Sequence, residues 1–310
     1  MKAPAFDYIR PQSLDHVFSL LAEHGDEARL LAGGQTLLAT LNMRLSDPGI
    51  LIDINGIEAL RGIRLTTTGM LRIGALVTHA EIESSLLVAT HAPMLSQAAP
   101  HVAHRAIRNL GTWGGSIAYA DPAAEWPACA VALDAIVIVQ GAGGTRRLAA
   151  CDFFRDLYAT ALGEGEVVVA CEMPVLSTGR RHAFAELARR HGDYAIVGLA
   201  VAASQDAQGL HGVRLTLLGV GTTPIRPRGT EQFLEGRRIN ASLLQDAAMQ
   251  LAAELSGELT PLGDLTNSAA TKRHLASVLL RRTLADLTAQ PDNAPLGETI
   301  PMDDRKRMSR

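Results

Sequence analysis

The 310 residues predict an α+β protein whose N-terminal part is α/β. Three observations carry this expectation. A strand–glycine loop–helix–strand unit fills the first part of the chain, three extended segments follow Pro174, and two amphipathic helices come after them. The composition is 47% hydrophobic and 20% charged. A chain of this length and apolar content buries large cores without disulfide or metal staples, and it is too apolar for global disorder.

The elements follow in order. Ser13 is placed to cap a helix with Leu14, Val17, Leu20 and Leu21 on one face, and Gly25 is placed to end it. Residues 28–32 read as a short buried strand running into Gly33-Gly34-Gln35-Thr36. A helical pattern spans 37–45 until Asp47-Pro48-Gly49 breaks it, and 50–54 form a second strand that Asn55-Gly56 turns out of. Residues 63–67 and 70–73 read as a hairpin around Thr68-Gly69. Thr78-His79-Ala80-Glu81 fits a capping box and starts a helix. Residues 94–108 read as one further helical stretch, before a glycine-rich run at 109–118. A helix at 122–133, with Asp121 before Pro122 as its cap, precedes strands at 135–139 and 167–171. Strands at 182–188, 195–203 and 213–218 are separated by turn residues, and helices at 241–255 and 271–287 lie on one face of their sheet. Residues 291–310 are polar and are expected to form a loose, disordered tail.

Charge and patterning exclude several functions. The net charge is −3, and no block of Lys or Arg occurs before the last few residues, so a nucleic-acid footprint is not expected. The longest apolar stretch, 195–203, is too short for a transmembrane segment. The first residues lack a basic-then-apolar signal pattern, and the expectation is a cytoplasmic protein. Cys129, Cys151 and Cys171 contain no C-x-x-C pair and sit in apolar or strand-like contexts, so they read as buried thiols. The histidines show no H-x-x-x-H spacing, and no metal site is expected in this chain. Trp126, Phe153 and Phe154 read as core, and Arg180-Arg181 and Arg189-Arg190 as solvated faces or contacts for an acidic partner.

Two glycine pairs carry the chemistry. Gly33-Gly34 and Gly114-Gly115 allow close backbone approach, and amides at a helix N-terminus bind phosphate oxygens. Thr36, Thr112 and Ser116 add hydroxyl donors. Two such loops can hold a pyrophosphate between them. Neither is G-x-G-x-x-G or a P-loop, and two tight turns that merely need glycine are the plainer reading of the spacing.

Ala32-Gly33-Gly34-Gln35-Thr36 and Thr112-Trp113-Gly114-Gly115-Ser116 resemble the two flavin-pyrophosphate motifs of the FAD-binding medium subunits of molybdenum hydroxylases, the carbon monoxide, nicotine and xanthine dehydrogenase group. Further segments resemble the same family: 51–57, 75–82, Asp121-Pro122-Ala123-Ala124-Glu125, Arg190-His191-Gly192-Asp193-Tyr194-Ala195, 272–276 and 279–282. The resemblance runs from about Phe6 to Leu287. It implies an FAD-binding fold of the vanillyl-alcohol oxidase and p-cresol methylhydroxylase type in two subdomains, 1–57 and 58–176, and a C-terminal α+β domain, 177–290, of the CO dehydrogenase flavoprotein type.

The resemblance also implies site roles. Leu31, Ala32, Gly33, Gly34, Gln35, Thr36, Leu37 and Leu38, with Thr112, Gly114, Gly115 and Ser116, grip the pyrophosphate. Glu125 falls where a carboxylate meets ribose hydroxyls; Val102 and Val168 fall where the backbone lies along the flavin. Tyr194 would sit near the isoalloxazine or else be plain core, and His79 would touch the adenine or flavin side of the cofactor or else be a surface group at a helix start. The chain departs from the family at Trp113, where a smaller aliphatic is usual and the flavin pocket would change. Ser116 replaces a common Asn, and Glu186 lies near a position where some relatives carry Lys.

The implied function is an electron-transfer subunit of a heterotrimeric complex, with no catalytic acid, base or nucleophile of its own. A molybdenum cofactor sits on a large partner subunit and two [2Fe-2S] clusters on a small one. Electrons pass from the clusters to FAD and on to an external acceptor, in a dimer of heterotrimers. Two alternatives stand beside it: a self-sufficient FAD-dependent oxidase or dehydrogenase of the same fold, and a flavin-free interaction subunit.

Overall fold

The computed structural model describes residues 2–289, so the expected tail at 291–310 lies outside the described residues. The chain opens with β1 (Asp7–Ile9), α1 (Leu14–His24), β2 (Ala28–Leu31), α2 (Leu37–Asn42) and β3 (Ile50–Asp53). The strands form a parallel sheet in the order β1-β3-β2. Ser13 Oγ accepts from the His16 N–H at 3.3 Å to start α1, and Gly25, at φ 50°, ends it. Helix α2 is shorter than its pattern: Met43 caps it and Arg44 turns left-handed at φ 56°.

A five-stranded antiparallel sheet comes next. It contains β4 (Ile63–Leu65) and β5 (Met70–Gly74), the expected hairpin, with Gly69 at φ 74° in the turn. Short helices α3 (His79–Ser84), α4 (Leu86–His91), α5 (Pro93–Ala98), α6 (Arg105–Arg108), α7 (Trp113–Tyr119) and α8 (Glu125–Ala132) follow. The chain then returns through β6 (Ile136–Gly141), β7 (Gly144–Ala149), α9 (Ala150–Phe153), the small ribbon β8 (Phe154–Asp156) and β9 (Ala159–Thr160), and β10 (Val167–Pro174). The sheet order is β4-β5-β10-β6-β7.

The single helix expected over 94–108 is broken. After α5 the chain makes a 3-10 turn through Pro100, extends at Val102 and turns left-handed at Ala103, φ 45°. The break leaves carbonyls without helical partners. The buried Arg108 guanidinium donates to Ala103 O at 2.9 Å and Val102 O at 3.2 Å, and it pairs with Glu83 at 2.9 Å. A fork of donors thus replaces the missing helical ladder. Helix α8 also starts later than expected. Asp121 does not cap it; its Oδ1 accepts from the Ala123 N–H at 2.9 Å in a local turn, and Ala124 is the residue before the helix.

The third layer holds β11 (Arg180–Leu187), β12 (Val197–Gln205) and β13 (Leu210–Leu218), antiparallel in that order, then α10 (Arg228–Leu234), α11 (Ala241–Glu254) and α12 (Ala269–Ala289). Val197, Leu199, Val201 and Ala203 pack with Leu251 and Leu280 of α11 and α12. Ala200, Ala202 and Leu218 join the core that contains Trp113 and Trp126. Burial on both faces explains the continuous apolar run of β12. Arg181 is not a solvated residue. It is buried and donates to Leu287 O at 3.2 Å and Thr288 O at 3.1 Å in the last turn of α12, and to Gln205 Oε1 at 2.9 Å. A cation suits those terminal carbonyls. Cys129 and Cys171 are buried, but Cys151 in α9 is exposed. Among the described residues no helix is long and apolar enough to cross a membrane.

Candidate functional site

The first glycine loop leaves β2 and is held from below. Asn55 Nδ2 donates to Ala32 O and to Asp53 Oδ1, both at 2.7 Å, and Gln35 Nε2 donates to Gly33 O at 2.9 Å. Gly34 has φ 71°, which only glycine adopts readily. Leu31 and Leu38 close on Gly34 from behind; a Cβ there would sit 3.1 Å from each side chain. Gly33 is required for a different reason. A Cβ would overlap the Leu110 carbonyl and lie 2.8 Å from Gly111 Cα, so the two glycine-rich segments touch at this point. Among the described residues the N–H groups of Gly33, Gly34, Gln35 and Thr36 meet no acceptor, nor does the Thr36 hydroxyl. Four successive unpaired amides form an anion-binding concavity.

The second loop differs. Thr112 Oγ1 caps α7 by accepting from the Gly115 N–H at 3.2 Å. The Trp113 N–H donates to Val77 O and the Gly114 N–H to Ala75 O, each at 2.8 Å. The expectation that both glycine pairs present amides is therefore corrected: docking on the segment after β5 takes the Gly114 amide and the Thr112 cap takes that of Gly115. Gly114 permits that docking, because a Cβ would fall 2.7 Å from Ala75 Cα. What this loop offers is hydroxyls, from Thr112 and Ser116. Trp113 points away from the site; it is 0% exposed and packs on Trp126 with ring centroids 5.4 Å apart. Its expected effect on the pocket is not a direct contact.

Between the loops lies a cavity of about 820 Å³, in the upper part of the usual range for ligand sites. Every expected site residue except Leu31 and Leu38 lines it: Ala32, Gly33, Gly34, Gln35, Thr36, Leu37, His79, Val102, Thr112, Gly114, Gly115, Ser116, Glu125, Val168 and Tyr194. Val102 reaches it from the break after α5, and Val168 from the irregular step in β10 between Val168 and Ala170. Tyr194 is 68% exposed, so it is no core residue. Its segment is fixed by Gly192, where a Cβ would sit 2.6 Å from the His104 ring. Neither is His79 a surface group: it is buried, and Trp126 Nε1 donates to its Nδ1 at 2.9 Å. Burial, then the Arg108 charge, lower its pKa to about 4.

Glu125, the first residue of α8, is buried. Burial, reinforced by the Glu186 charge, lifts its carboxyl to about 8. Three further wall residues stand out: sequence reasoning favoured a cap over a ligand role for Asp121 and assigned none to Tyr119 and Tyr158. Asp121 is raised by burial, and the Tyr119 and Tyr158 rings lie 5.0 Å apart. Burial and then the Asp121 charge push the Tyr158 phenol to about 12. Only the scarcity of aromatics, with four tyrosines in the chain, could have marked this cluster beforehand.

A parallel α/β layer and an antiparallel sheet that enclose an amide concavity and a facing row of hydroxyls define a protein that binds a phosphorylated cofactor. Residues 4–176 match the FAD binding domain in molybdopterin dehydrogenase, and 182–287 match the CO dehydrogenase flavoprotein C-terminal domain. The chain belongs to this family of FAD-binding oxidoreductase subunits. It is 39% identical over 286 residues to the 6-hydroxypseudooxynicotine dehydrogenase complex subunit alpha of Paenarthrobacter nicotinovorans, covering 92% of this chain and 95% of the relative. It is 36% identical to the caffeine dehydrogenase subunit beta of a Pseudomonas species, with the same coverage. In structure it resembles a chain of carbon monoxide dehydrogenase from Hydrogenophaga pseudoflava, with a TM-score of 0.89 at 35% identity over 93% of this chain and 99% of the other.

Proposed function

We propose that this chain is the FAD-binding electron-transfer subunit of a heterotrimeric molybdenum hydroxylase. The observation that carries the reading is the row of four unpaired amides at Gly33–Thr36, facing the Thr112 and Ser116 hydroxyls across a cavity large enough for a dinucleotide. Its donor set fits a pyrophosphate, which is all acceptor oxygens. Leu31–Leu38 shape and supply the amide side; Thr112, Gly114, Gly115 and Ser116 supply the hydroxyl side and the close approach. His79 borders the point where the loops meet. Glu125 takes the ribose hydroxyls, the backbone at Val102 and Val168 runs along the flavin, and Tyr194 covers the isoalloxazine.

When bound, FAD supplies the redox chemistry, accepting electrons singly or in pairs. The chain's own residues bind it, orient it and keep water from its buried edge. No side chain is assigned as an acid, base or nucleophile. Electrons arrive from two [2Fe-2S] clusters on a small subunit, substrate is hydroxylated at a molybdenum cofactor on a large one, and the whole is a cytoplasmic dimer of heterotrimers. Within the chain the division is 1–57, 58–176 and 177–290.

FAD and FMN titrations of the full chain, followed by flavin absorption, test the reading. FAD is expected to bind and FMN, which lacks the pyrophosphate, to bind at least tenfold more weakly, a difference of about 1.4 kcal/mol. Equal affinities would remove the pyrophosphate assignment. Turnover of a substrate by the isolated, flavin-loaded chain would favour a self-sufficient flavoenzyme. No flavin uptake, even with partner subunits present, would favour the interaction subunit.

A further inference from the structure

Trp126 is wholly buried, and an indole N–H can only donate. It donates to His79 Nδ1 at 2.9 Å. That nitrogen must therefore carry a lone pair, and the proton of the neutral imidazole resides on Nε2. Trp126 has little freedom to turn, because Trp113 packs against it in a close-packed core. The His79 backbone is fixed as well. It follows the Thr78–Glu81 capping box, and its N–H donates to Gly111 O at 2.9 Å.

The other edge of the ring faces the ligand cavity, which His79 lines. A Cβ at Gly111 would sit 2.7 Å from Nε2, and Gly111 is the residue against which Gly33 packs. Nε2 thus lies beside the junction of the two glycine-rich segments. Among the described residues Nε2 has no acceptor.

We propose that Trp126 locks His79 as an uncharged Nε2–H donor, and that this donor binds an oxygen of the cofactor's diphosphate. The inference rests on the reading of the cavity as an FAD site. It adds a positioning role for Trp126 that no family resemblance supplied. Protonating the ring would break the indole bond, and burial and the Arg108 charge oppose it too. The charge that acts on the ring is Arg108 on α6, itself paired with Glu83 on α3, and Asp121 and Glu125 share the cavity wall with His79. A donor that stays neutral holds an anion equally well on either side of the usual histidine range.

Two measurements on the full chain test this. Nitrogen-15 NMR of the wild-type imidazoles is expected to show His79 as the neutral Nε2–H form. An Nδ1–H or doubly protonated ring near neutral pH overturns the lock and needs no variant. FAD affinity is then measured between about pH 5.5 and about pH 7, across the ordinary histidine range and short of the Glu125 titration at about 8. ADP affinity is measured at about pH 7 alone, because a terminal phosphate itself titrates at about 6. Wild-type affinity is expected to be flat. His79→Leu is expected to lose about tenfold throughout, the worth of one hydrogen bond to a charged group. His79→Gln, whose amide N–H reaches the place of Nε2, is expected to stay within about threefold. Trp126→Phe removes the donor that fixes the tautomer, while burial and Arg108 still oppose protonation. Its His79 ring is expected to show Nδ1–H in the nitrogen-15 spectrum, and FAD affinity to fall by about threefold without a pH dependence. Unchanged affinity in His79→Leu, with FAD still bound, sinks the donor role alone. A wild-type chain that binds neither FAD nor ADP sinks the cofactor reading and the donor's ligand with it.

Discussion

A methyl group at position 33 has no room, because the Leu110 carbonyl and Gly111 Cα already occupy the space. Gly33→Ala is therefore expected to push the two loops apart, costing about 2–3 kcal/mol in thermal or denaturant unfolding and abolishing FAD binding. Gly143→Ala, where nothing lies within 4 Å, is the control and should stay within about 0.5 kcal/mol. Glu125 gives a pH signature. Its folded carboxyl titrates near about 8 against an ordinary 4.5, so between those values the folded state holds a proton that the unfolded state has lost. Stability from this group is fully present below the ordinary value and falls as pH rises towards about 8. Glu125→Gln should remove that fall, and urea unfolding of both proteins across this interval checks it. At this scale the glycine pairs were legible, because residue type alone announces a backbone need. Their division of labour was not: whether an amide is free depends on Ala75 and Val77, distant in sequence from the second pair.

Elements were legible where their signals are local. The Thr78–Glu81 capping box forms as expected, with the Thr78 N–H donating to Glu81 Oε2 at 2.7 Å and the Glu81 N–H to Thr78 Oγ1 at 3.2 Å. Thr78→Ala should cost about 1 kcal/mol, read as a lowered Tm, and should loosen the start of the helix that carries His79. The break between α5 and α6 was missed because its compensation is a tertiary contact. Pro100 is compatible with a helix start, and Ala103 gives no warning of a positive φ. Arg108 makes the break affordable by collecting its carbonyls. Arg108→Leu would leave the Val102 and Ala103 carbonyls unpaired and Glu83 with only the exposed Arg105 at 3.8 Å. A loss of about 2–4 kcal/mol is expected by denaturant unfolding, with weaker FAD binding through displaced Val102. Strand β7 was missed for the opposite reason: Gly144-Thr145-Arg146-Arg147 is an exposed polar edge and carries no apolar alternation.

At the scale of the molecule, the layers share material rather than merely abutting. The run at 195–203 reads as a strand, and the helices on one of its faces are legible from their own amphipathic pattern. What covers the other face is not, since α8 beyond Glu125 is apolar all round and announces only that it is buried. The structure seats α8 against β12 and β13, so Ala200, Ala202 and Leu218 enter one core with Trp126 and Ala130. The cavity spans the same boundary, with Gly192, Asp193 and Tyr194 facing the glycine loops. A ligand held there touches both parts, and a core continuous across them should melt as one unit. Tryptophan fluorescence, which reports Trp113 and Trp126 in the shared core, and far-ultraviolet circular dichroism, which reports all the helices, should therefore give coincident unfolding curves. Adding FAD should move both curves together, by about 2.7 kcal/mol at a hundredfold excess over its Kd. If FAD shifts the fluorescence transition alone, the third layer unfolds separately, and its share of the cavity wall contributes nothing to holding the cofactor.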